Sequence, residues 1–255
     1  MIIKDIVVRY QELANNAWPS KIHFFVNGWN VRISEGYTQR ANSVLPILYF
    51  GTNHEEDIVV VEQIYRKMNL PKVIFQIPEY TQPSNLDIIL ASKGYDQRSK
   101  TSVMSAKLKN LLKQRINNVY SYKVSEIDQQ GQWFNFKESY SLSKNKMHLK
   151  RMIINRIEIP AKYFFYLFLN ELLIGVALGV CERGYIGVYD VEIHPEFRRK
   201  GVGANLMYYI FNWGIDNDFS DVYLQVETQN DAGQRLYKKL GFQTLFHYHY
   251  REKFL

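Results

Sequence analysis

Two segments of the chain repeat one pattern of apolar and polar positions. Residues 73–95 (VIFQIPEYTQPSNLDIILASKGY) and 222–242 (VYLQVETQNDAGQRLYKKLGF) each predict a strand, an Asn/Asp helix cap, a short amphipathic helix and a stop at glycine. Hairpin-like strands and a helix precede each copy, and a further strand follows it. The repeat therefore predicts an α/β (mixed α+β) chain of two like units, each a mixed, mostly antiparallel sheet flanked by helices.

The predicted units meet between residues 108 and 120, and we assign them to residues 1–115 and 116–255. The first begins with an amphipathic helix over residues 4–16 and continues into strands. The second is predicted to contain two helices, three antiparallel strands, a glycine loop, a helix over 201–217, a strand over 222–227, a helix over 232–240 and a last strand.

One apolar stretch is long enough to cross a bilayer, YFFYLFLNELLIGVALGVC at residues 163–181. Asn170 and Glu171 lie near its middle, where a charge is costly in a membrane. The stretch is better explained as two buried strands that meet at a polar turn. We expect no membrane partner.

The composition suits a globular, cytoplasmic protein. The chain has 255 residues, of which 46% are hydrophobic, and 32 Lys+Arg against 25 Asp+Glu give a net charge of +7. This surplus favours acidic ligands, but nucleic acid is not expected as the partner. The single cysteine, Cys181, excludes an internal disulfide and fits a reducing compartment, and its surroundings predict an inert buried thiol. No metal is expected, and the oligomeric state is left open.

Three consecutive cations, Arg198, Arg199 and Lys200, precede two glycines in HPEFRRKGVGANL. A P-loop is absent, and a dinucleotide fingerprint would need a third glycine where Leu206 stands and a shorter distance from the preceding strand. An Arg-x-x-Gly-x-Gly-Ala loop between a strand and a helix instead predicts a pyrophosphate site, because glycine amides and cations converge there. The alternative is a solvated basic turn.

The stretches VEIHPEFRRKGVGANL and VETQNDAGQRLYKKLGF resemble, in order and separation, the two signatures of the GNAT superfamily of N-acetyltransferases. The resemblance covers roughly residues 120–255, and the first half is similar to the degenerate unit of tandem GNAT proteins. It implies acetyl-CoA as co-substrate and direct transfer of the acetyl group to a primary amine of an unidentified small-molecule or peptide acceptor. A non-catalytic acyl-CoA-binding or regulatory module and a nucleic-acid binder are the rival functions.

The resemblance also implies roles for residues of the second half. The backbone of Val191, Glu192 and Ile193 would bind the pantetheine arm, and Tyr237 would be the general acid, or else an ordinary packing aromatic. The cofactor's remaining contacts would come from the glycine loop and the next helix: Arg198, Arg199, Lys200, Gly201, Val202, Gly203, Ala204 and Asn230. Asn230 can equally serve as a helix cap.

The general base is the weakest of these assignments. Gln225 occupies the position where many family members carry a glutamate, and an amide cannot accept the proton. Glu192 is the better candidate, with Glu227 behind it, although both can equally be solvated strand carboxylates. His194 is expected to be structural.

The first half departs from the family pattern. Its loop YFGTNHEEDIVVV has a lone Gly51 followed by three acids at 55–57, and Leu90 stands at the tyrosine position, so we expect it to bind no CoA. Its role would be substrate recognition. The candidate acceptor contacts, which otherwise simply pack a hairpin, are Trp29, Arg32, Tyr37, Arg40 and Asn42.

Overall fold

The computed structural model describes residues 3–111, 117–140 and 146–255, which form two compact units. Unit 1 comprises Met1–Val103, Glu227–Gln229 and Leu245–Leu255, and unit 2 comprises Met104–Val226 and Asn230–Thr244. The predicted boundary at residues 115 and 116 lies outside the described residues. The observed division differs from the predicted one, because the last residues of the chain belong to unit 1.

Unit 1 begins with helix α1 (Ile3–Ala17), as the amphipathic pattern predicts, and strands β1 (Ile22–Val26), β2 (Trp29–Ile33) and β3 (Val44–Leu45) follow. Helix α2 (His54–Lys67), strand β4 (Lys72–Pro78), helix α3 (Leu86–Ser92) and strand β5 (Asp96–Lys107) complete its first part. Antiparallel pairs β1–β2 and β2–β3 lead to the parallel pair β3–β4.

The last strand of the chain, β11 (Gln243–Phe254), completes the sheet of unit 1. It runs antiparallel to β4, with Tyr248 opposite Pro78 and Phe254 opposite Lys72. Phe246, Tyr248 and Tyr250 are buried, and the strand order of unit 1 is β1-β2-β3-β4-β11-β5. The sequence had suggested that this strand closes the second unit. The alternation of buried aromatics predicts a strand, but it carries no information about which sheet receives it.

Unit 2 contains β6 (Tyr120–Ser125), α4 (Gln132–Tyr140), α5 (Met147–Asn155), β7 (Ala161–Leu169), β8 (Leu172–Glu182) and β9 (Tyr185–Ile193). Helix α6 (Val202–Asp216), strand β10 (Asp221–Glu227) and helix α7 (Asp231–Lys239) follow. The strand order of unit 2 is β5-β10-β9-β8-β7-β6. The mixed, mostly antiparallel sheets with flanking helices confirm the predicted fold class, while β6 was not predicted.

The apolar stretch at 163–181 is a hairpin. Strands β7 and β8 pair antiparallel up to Leu169 and Leu172, and the two residues between them, Asn170 and Glu171, have φ of 46° and 68°. The two-residue hairpin turn that matches the twist of the strands requires a positive φ at both of its central residues. This confirms the prediction of two strands, and across the described ranges no helix has the length and apolar character needed to cross a membrane.

The core of unit 2 lies between its sheet and α6. Phe165, Ala177, Val188, Leu206 and Phe211 are among its buried members. Cys181 belongs to the same core, and burial raises the pKa of its thiol to about 12, as expected of an inert buried cysteine.

Candidate active site

The parallel strands β9 and β10 separate at one end of unit 2. Their pairing runs from Tyr185 and Asp221 to Val188 and Leu224, whereas β9 continues to Ile193 and β10 to Glu227. Small ligands bind in open α/β sheets at such places, beyond the carboxyl ends of parallel strands. The ends of β9 and β10 beyond these pairs are therefore not paired with each other, and we call the gap between them the cleft.

Strand β9 carries a bulge next to this cleft. Its register against β8 shifts between Val176 and Leu178, and Asp190 has a φ of 51°. After the bulge, the backbone N–H of His194 donates to the carbonyl oxygen of Ile174 in β8 at 2.9 Å. Because successive residues of a strand alternate edges, the backbone of Ile193 faces the opposite, open edge.

The glycine loop turns twice through left-handed backbone conformations, at Arg199 (φ 61°) and Gly201 (φ 77°). The amide of Asn205 donates to Gly201 O at 3.1 Å and makes the first full turn of α6. The preceding amides, at residues 202–204, therefore have no acceptor within the helix. Together with the positive end of the helix dipole they form an anion-binding surface.

The two glycines have different reasons for lacking a side chain. Gly201 needs the left-handed conformation, which side chains disfavour. Gly203 is helical, and a Cβ there would lie 3.5 Å from Leu236 Cδ2 and 3.8 Å from Ile193 Cγ1, which are ordinary contacts. Packing within the protein thus does not require glycine at 203, and its bare backbone is accessible to a ligand.

Glu192 lies between two cations. Its Oε1 accepts from Arg198 Nη2 at 2.9 Å, and its Oε2 accepts from Lys137 Nζ at 3.2 Å. Arg198 also donates from Nε to Ile193 O at 3.0 Å, so its side chain lies along the end of β9. The Lys137 side chain is 4% exposed, whereas that of Arg198 is 49% exposed. Of the three loop cations, Arg198 is therefore the one that is hydrogen-bonded to the end of β9.

Lys137 and Lys150 lie at the candidate site, and the sequence analysis missed both. Lys150 Nζ lies 2.8 Å from Asp190 Oδ1, and Lys137 Nζ lies 3.7 Å from the same oxygen. Burial lowers the pKa of Lys150, and the Asp190 carboxylate opposes this effect. The spacing of the two lysines could have indicated their burial. Lys137 follows the buried Trp133 by four residues and Lys150 follows the buried Met147 by three, so each lies on a buried face of its helix.

Tyr237 and Asn230 both lie on α7. The Tyr237 ring packs edge-on against Phe242 at a centroid distance of 5.8 Å, and burial raises the pKa of its hydroxyl to about 12. Within the described ranges, that hydroxyl has no hydrogen bond to the protein. Asn230 Oδ1 accepts from Gly233 N at 2.9 Å, so this side chain is a helix cap, whether or not it also contacts a ligand.

The other candidates for proton transfer contribute less. His194 Nδ1 accepts from Glu196 N at 3.3 Å and its ring packs against Tyr140 and Phe197, in line with a structural role. Glu227 is exposed at the end of β10. Gln225 provides no carboxylate.

In unit 1, protein side chains fill the position that corresponds to the glycine loop. A Cβ on Gly51 would lie 2.5 Å from Tyr49 Oη and 2.6 Å from Asp57 Oδ2, and this tyrosine donates to this carboxylate at 2.7 Å. Asn53 Oδ1 accepts from the amides of residues 55–56 at 3.2 and 3.4 Å. The amides that could face a phosphate are thus already bonded, and carboxylates surround them.

The residues suggested as acceptor contacts in the first half belong mostly to the interior. Trp29, Arg32, Tyr37 and Asn42 are no more than 5% exposed. Arg32 donates to Ser43 O at 2.9 Å and to the side chains of Ser43 and Gln76 at 2.7 Å. The hypothesis of acceptor contact is wrong for these four, because their polar atoms stabilise the interior of unit 1. Arg40 is half-buried, with its guanidinium 5.8 Å from the Trp18 ring centroid.

A cavity of about 670 Å³ lies within unit 1, at the carboxyl end of β4. Two carboxylates on its wall are held by imidazoles of β11, Glu79 by His247 at 3.1 Å and Asp87 by His249 at 2.8 Å. Tyrosines, prolines and one lysine complete the wall: Tyr49, Tyr80, Tyr248, Pro78, Pro83 and Lys100. Its size suits a small organic ligand.

Comparisons with known proteins agree with this arrangement. The acetyltransferase (GNAT) family model matches residues 131–242, and a model described as "Probable histone acetyltransferase Rv0428c C-terminal" matches residues 7–150. A Bacillus subtilis (strain 168) protein described as "Uncharacterized N-acetyltransferase YobR" is 28% identical over 254 residues, covering 98% of this chain and 99% of that protein. The chain belongs to the GNAT acetyltransferase family, and it is an acetyltransferase, as the two motifs predicted.

Solved structures show the same fold along the whole chain. A GCN5-related N-acetyltransferase from Kribbella flavida has a TM-score of 0.75 at 13% identity, covering 99% of this chain and 95% of that one. A tandem GNAT protein from the clavulanic acid biosynthesis pathway has a TM-score of 0.72 at 10% identity, covering 96% and 87%. At such identities the likeness concerns the fold, and the predicted tandem form is consistent with it.

Proposed function

We propose that the protein transfers an acetyl group from acetyl-CoA directly to a primary amine, with the site in unit 2. The observation that carries the proposal is that β9 and β10 diverge in front of a glycine loop with unbonded amides, while α7 supplies a half-buried tyrosine whose hydroxyl is protonated at neutral pH. The pyrophosphate would bind the amides of the glycine loop, with Arg199 and Lys200 neutralising its charge. The pantetheine arm would lie along Val191, Glu192 and Ile193.

In the proposed reaction the neutral amine attacks the thioester carbonyl carbon and forms a tetrahedral intermediate. Backbone amides at the open edge of β9 stabilise the oxyanion. As the C–S bond breaks, Tyr237 donates its proton to the CoA thiolate, and the proton lost by the amine passes to Glu192, directly or through water. Because burial raises the pKa of Tyr237 to about 12, its hydroxyl carries the proton it must donate at neutral pH.

The test is calorimetric titration of the protein with CoA and with acetyl-CoA. We expect one equivalent to bind, because unit 2 has the glycine loop and unit 1 has bonded amides and carboxylates at the corresponding place. Two bound equivalents would contradict the assignment of unit 1, and no binding at all would contradict the proposed function.

A separate test uses the bare backbone at position 203. Gly203→Ala should weaken CoA binding roughly tenfold, or about 1.4 kcal/mol, because the added methyl stands where a phosphate must approach the amides. The helix has room for this methyl, so the thermal unfolding temperature should stay the same or rise. Unchanged CoA affinity would show that the pyrophosphate binds elsewhere.

The second candidate function is a non-catalytic acyl-CoA-binding module. The observation that favours it is the pairing of Glu192 with Lys137 and Arg198, together with the amide at Gln225. Release of free CoA from acetyl-CoA in the presence of a panel of primary amines distinguishes the two functions. Tight binding without amine-dependent release would establish the module.

The substrate-recognition role predicted for the first half stays a prediction. The residues first suggested for this role are mostly buried, whereas the cavity of unit 1 has polar side chains on its wall that a ligand could reach. The carboxylate of Glu79 on its wall would balance the charge of an amine, whereas that of Asp87 is paired with Arg251 at 2.7 Å.

A further inference from the structure

Arg198 has two possible anionic partners, the carboxylate of Glu192 and the pyrophosphate of the proposed cofactor. It is bonded to Glu192 at 2.9 Å, and it belongs to the loop proposed to hold the cofactor's pyrophosphate. Its side chain is 49% exposed, so its pairing with a carboxylate is of the kind that contributes little free energy. A pyrophosphate carries more negative charge than a carboxylate. Its oxygens can also accept two parallel hydrogen bonds from the planar guanidinium, as a bidentate pair.

We propose that cofactor binding withdraws Arg198 from Glu192 and thereby frees this carboxylate to act as the proton acceptor. The proposal rests on the proposed function and adds an order of events to it. Before the cofactor binds, Glu192 Oε1 is occupied by a guanidinium and cannot receive the amine. Once Arg198 bonds the pyrophosphate, Oε1 becomes available on the side of the cleft.

Lys137 explains how the freed carboxylate keeps its orientation. Its side chain is 4% exposed, it bonds the other oxygen of Glu192 at 3.2 Å, and it donates to Asp190 O at 3.4 Å. A buried lysine held at the bulge cannot follow a phosphate into the loop. The two cations on Glu192 therefore differ in kind, because Lys137 is a fixed positioning residue and Arg198 is exchangeable.

The charged and titratable groups around Glu192 come from every neighbouring element. They are Lys137 on α4, Lys150 on α5, Asp190 on its own strand, and His194 and Arg198 beyond the end of that strand. Of these cations, Arg198 is the one that the loop carries. Removing one of these cations makes it more favourable for a neighbouring carboxylate to bind a proton.

The experiment measures proton uptake when CoA binds. CoA is titrated into the full-length protein by calorimetry over a range of mildly acidic pH, in two buffers of different ionisation enthalpy, and the difference gives the number of protons taken up. We expect the wild-type protein to take up more protons than Glu192→Gln on binding CoA, and this variant corrects for protons taken up by CoA and by other groups of the protein.

Two loop variants provide the decisive comparison. Arg198→Ala should lose the excess uptake, because Glu192 is already released in the free protein. Arg199→Ala removes a loop cation that, within the described residues, makes no bond to Glu192, so it should weaken CoA binding yet retain the excess uptake. The proposal is overturned if Arg198→Ala retains the excess, or if the wild-type and Glu192→Gln proteins take up equal amounts while both bind CoA. If CoA binds to none of the proteins, the proposed function fails as well.

Discussion

Tyr237→Phe is expected to lower kcat by a factor of roughly 10²–10⁴, the usual range for a positioned acid or base. The substitution removes one hydroxyl from α7, and the ring contact with Phe242 at 5.8 Å is retained. In the proposed mechanism the departing thiolate then has no proton donor from the protein. The measurement is CoA release at saturating acetyl-CoA and amine, and the affinity for CoA should stay within a few-fold.

The pH dependence gives this prediction a second measurement. Burial raises the pKa of Tyr237 to about 12, so the acid remains protonated as the pH rises from neutral to moderately alkaline values. Turnover by the wild-type protein should therefore not fall through loss of this proton in that range. A matched control is Tyr208→Phe, a half-buried tyrosine on α6, which should keep its turnover. Equal kcat for the Tyr237→Phe and wild-type proteins would show that Tyr237 only packs.

The sequence was informative wherever one residue type is required by local geometry. Glycines 94 and 241 have φ of 81° and 92° at the ends of α3 and α7, and such positions favour glycine wherever they occur. The Asn170-Glu171 turn and the Arg-x-x-Gly-x-Gly loop could be located for the same reason. These local requirements helped to predict the repeat and the fold class, and the family followed from the resemblance of two motifs to the GNAT signatures.

The sequence was uninformative where the outcome depends on residues distant in the chain. Nothing within residues 245–255 indicates that they pair with β4, about 170 residues earlier, because an alternating strand pattern does not specify its partner strand. The ion pairs of Lys137 and Lys150 with strand β9 likewise join segments whose separation the sequence leaves open. In the same way, Arg32 looked like a surface contact until Ser43 and Gln76 were found to satisfy its guanidinium in the interior.

Tyr250→Ala is expected to destabilise unit 1 by about 3–5 kcal/mol, a large part of the stability of a typical domain. Tyr250 lies on β11 opposite Gln76 of β4 and is 4% exposed, so its loss leaves a cavity in unit 1. The measurement is amide hydrogen exchange of β4 and α2, which should become much faster, since both elements belong to unit 1.

The matched control for this substitution is Phe254→Ala. Phe254 is an aromatic residue of the same strand, four residues further along, and it is 74% exposed. Its removal should change the free energy of unfolding by less than about 0.5 kcal/mol, as is usual for exposed positions. If β11 instead served only unit 2, Tyr250→Ala would leave the exchange of β4 and α2 at the rate of the Phe254→Ala protein. Faster exchange confined to the Tyr250→Ala protein would establish that the last strand of the chain holds the first unit together.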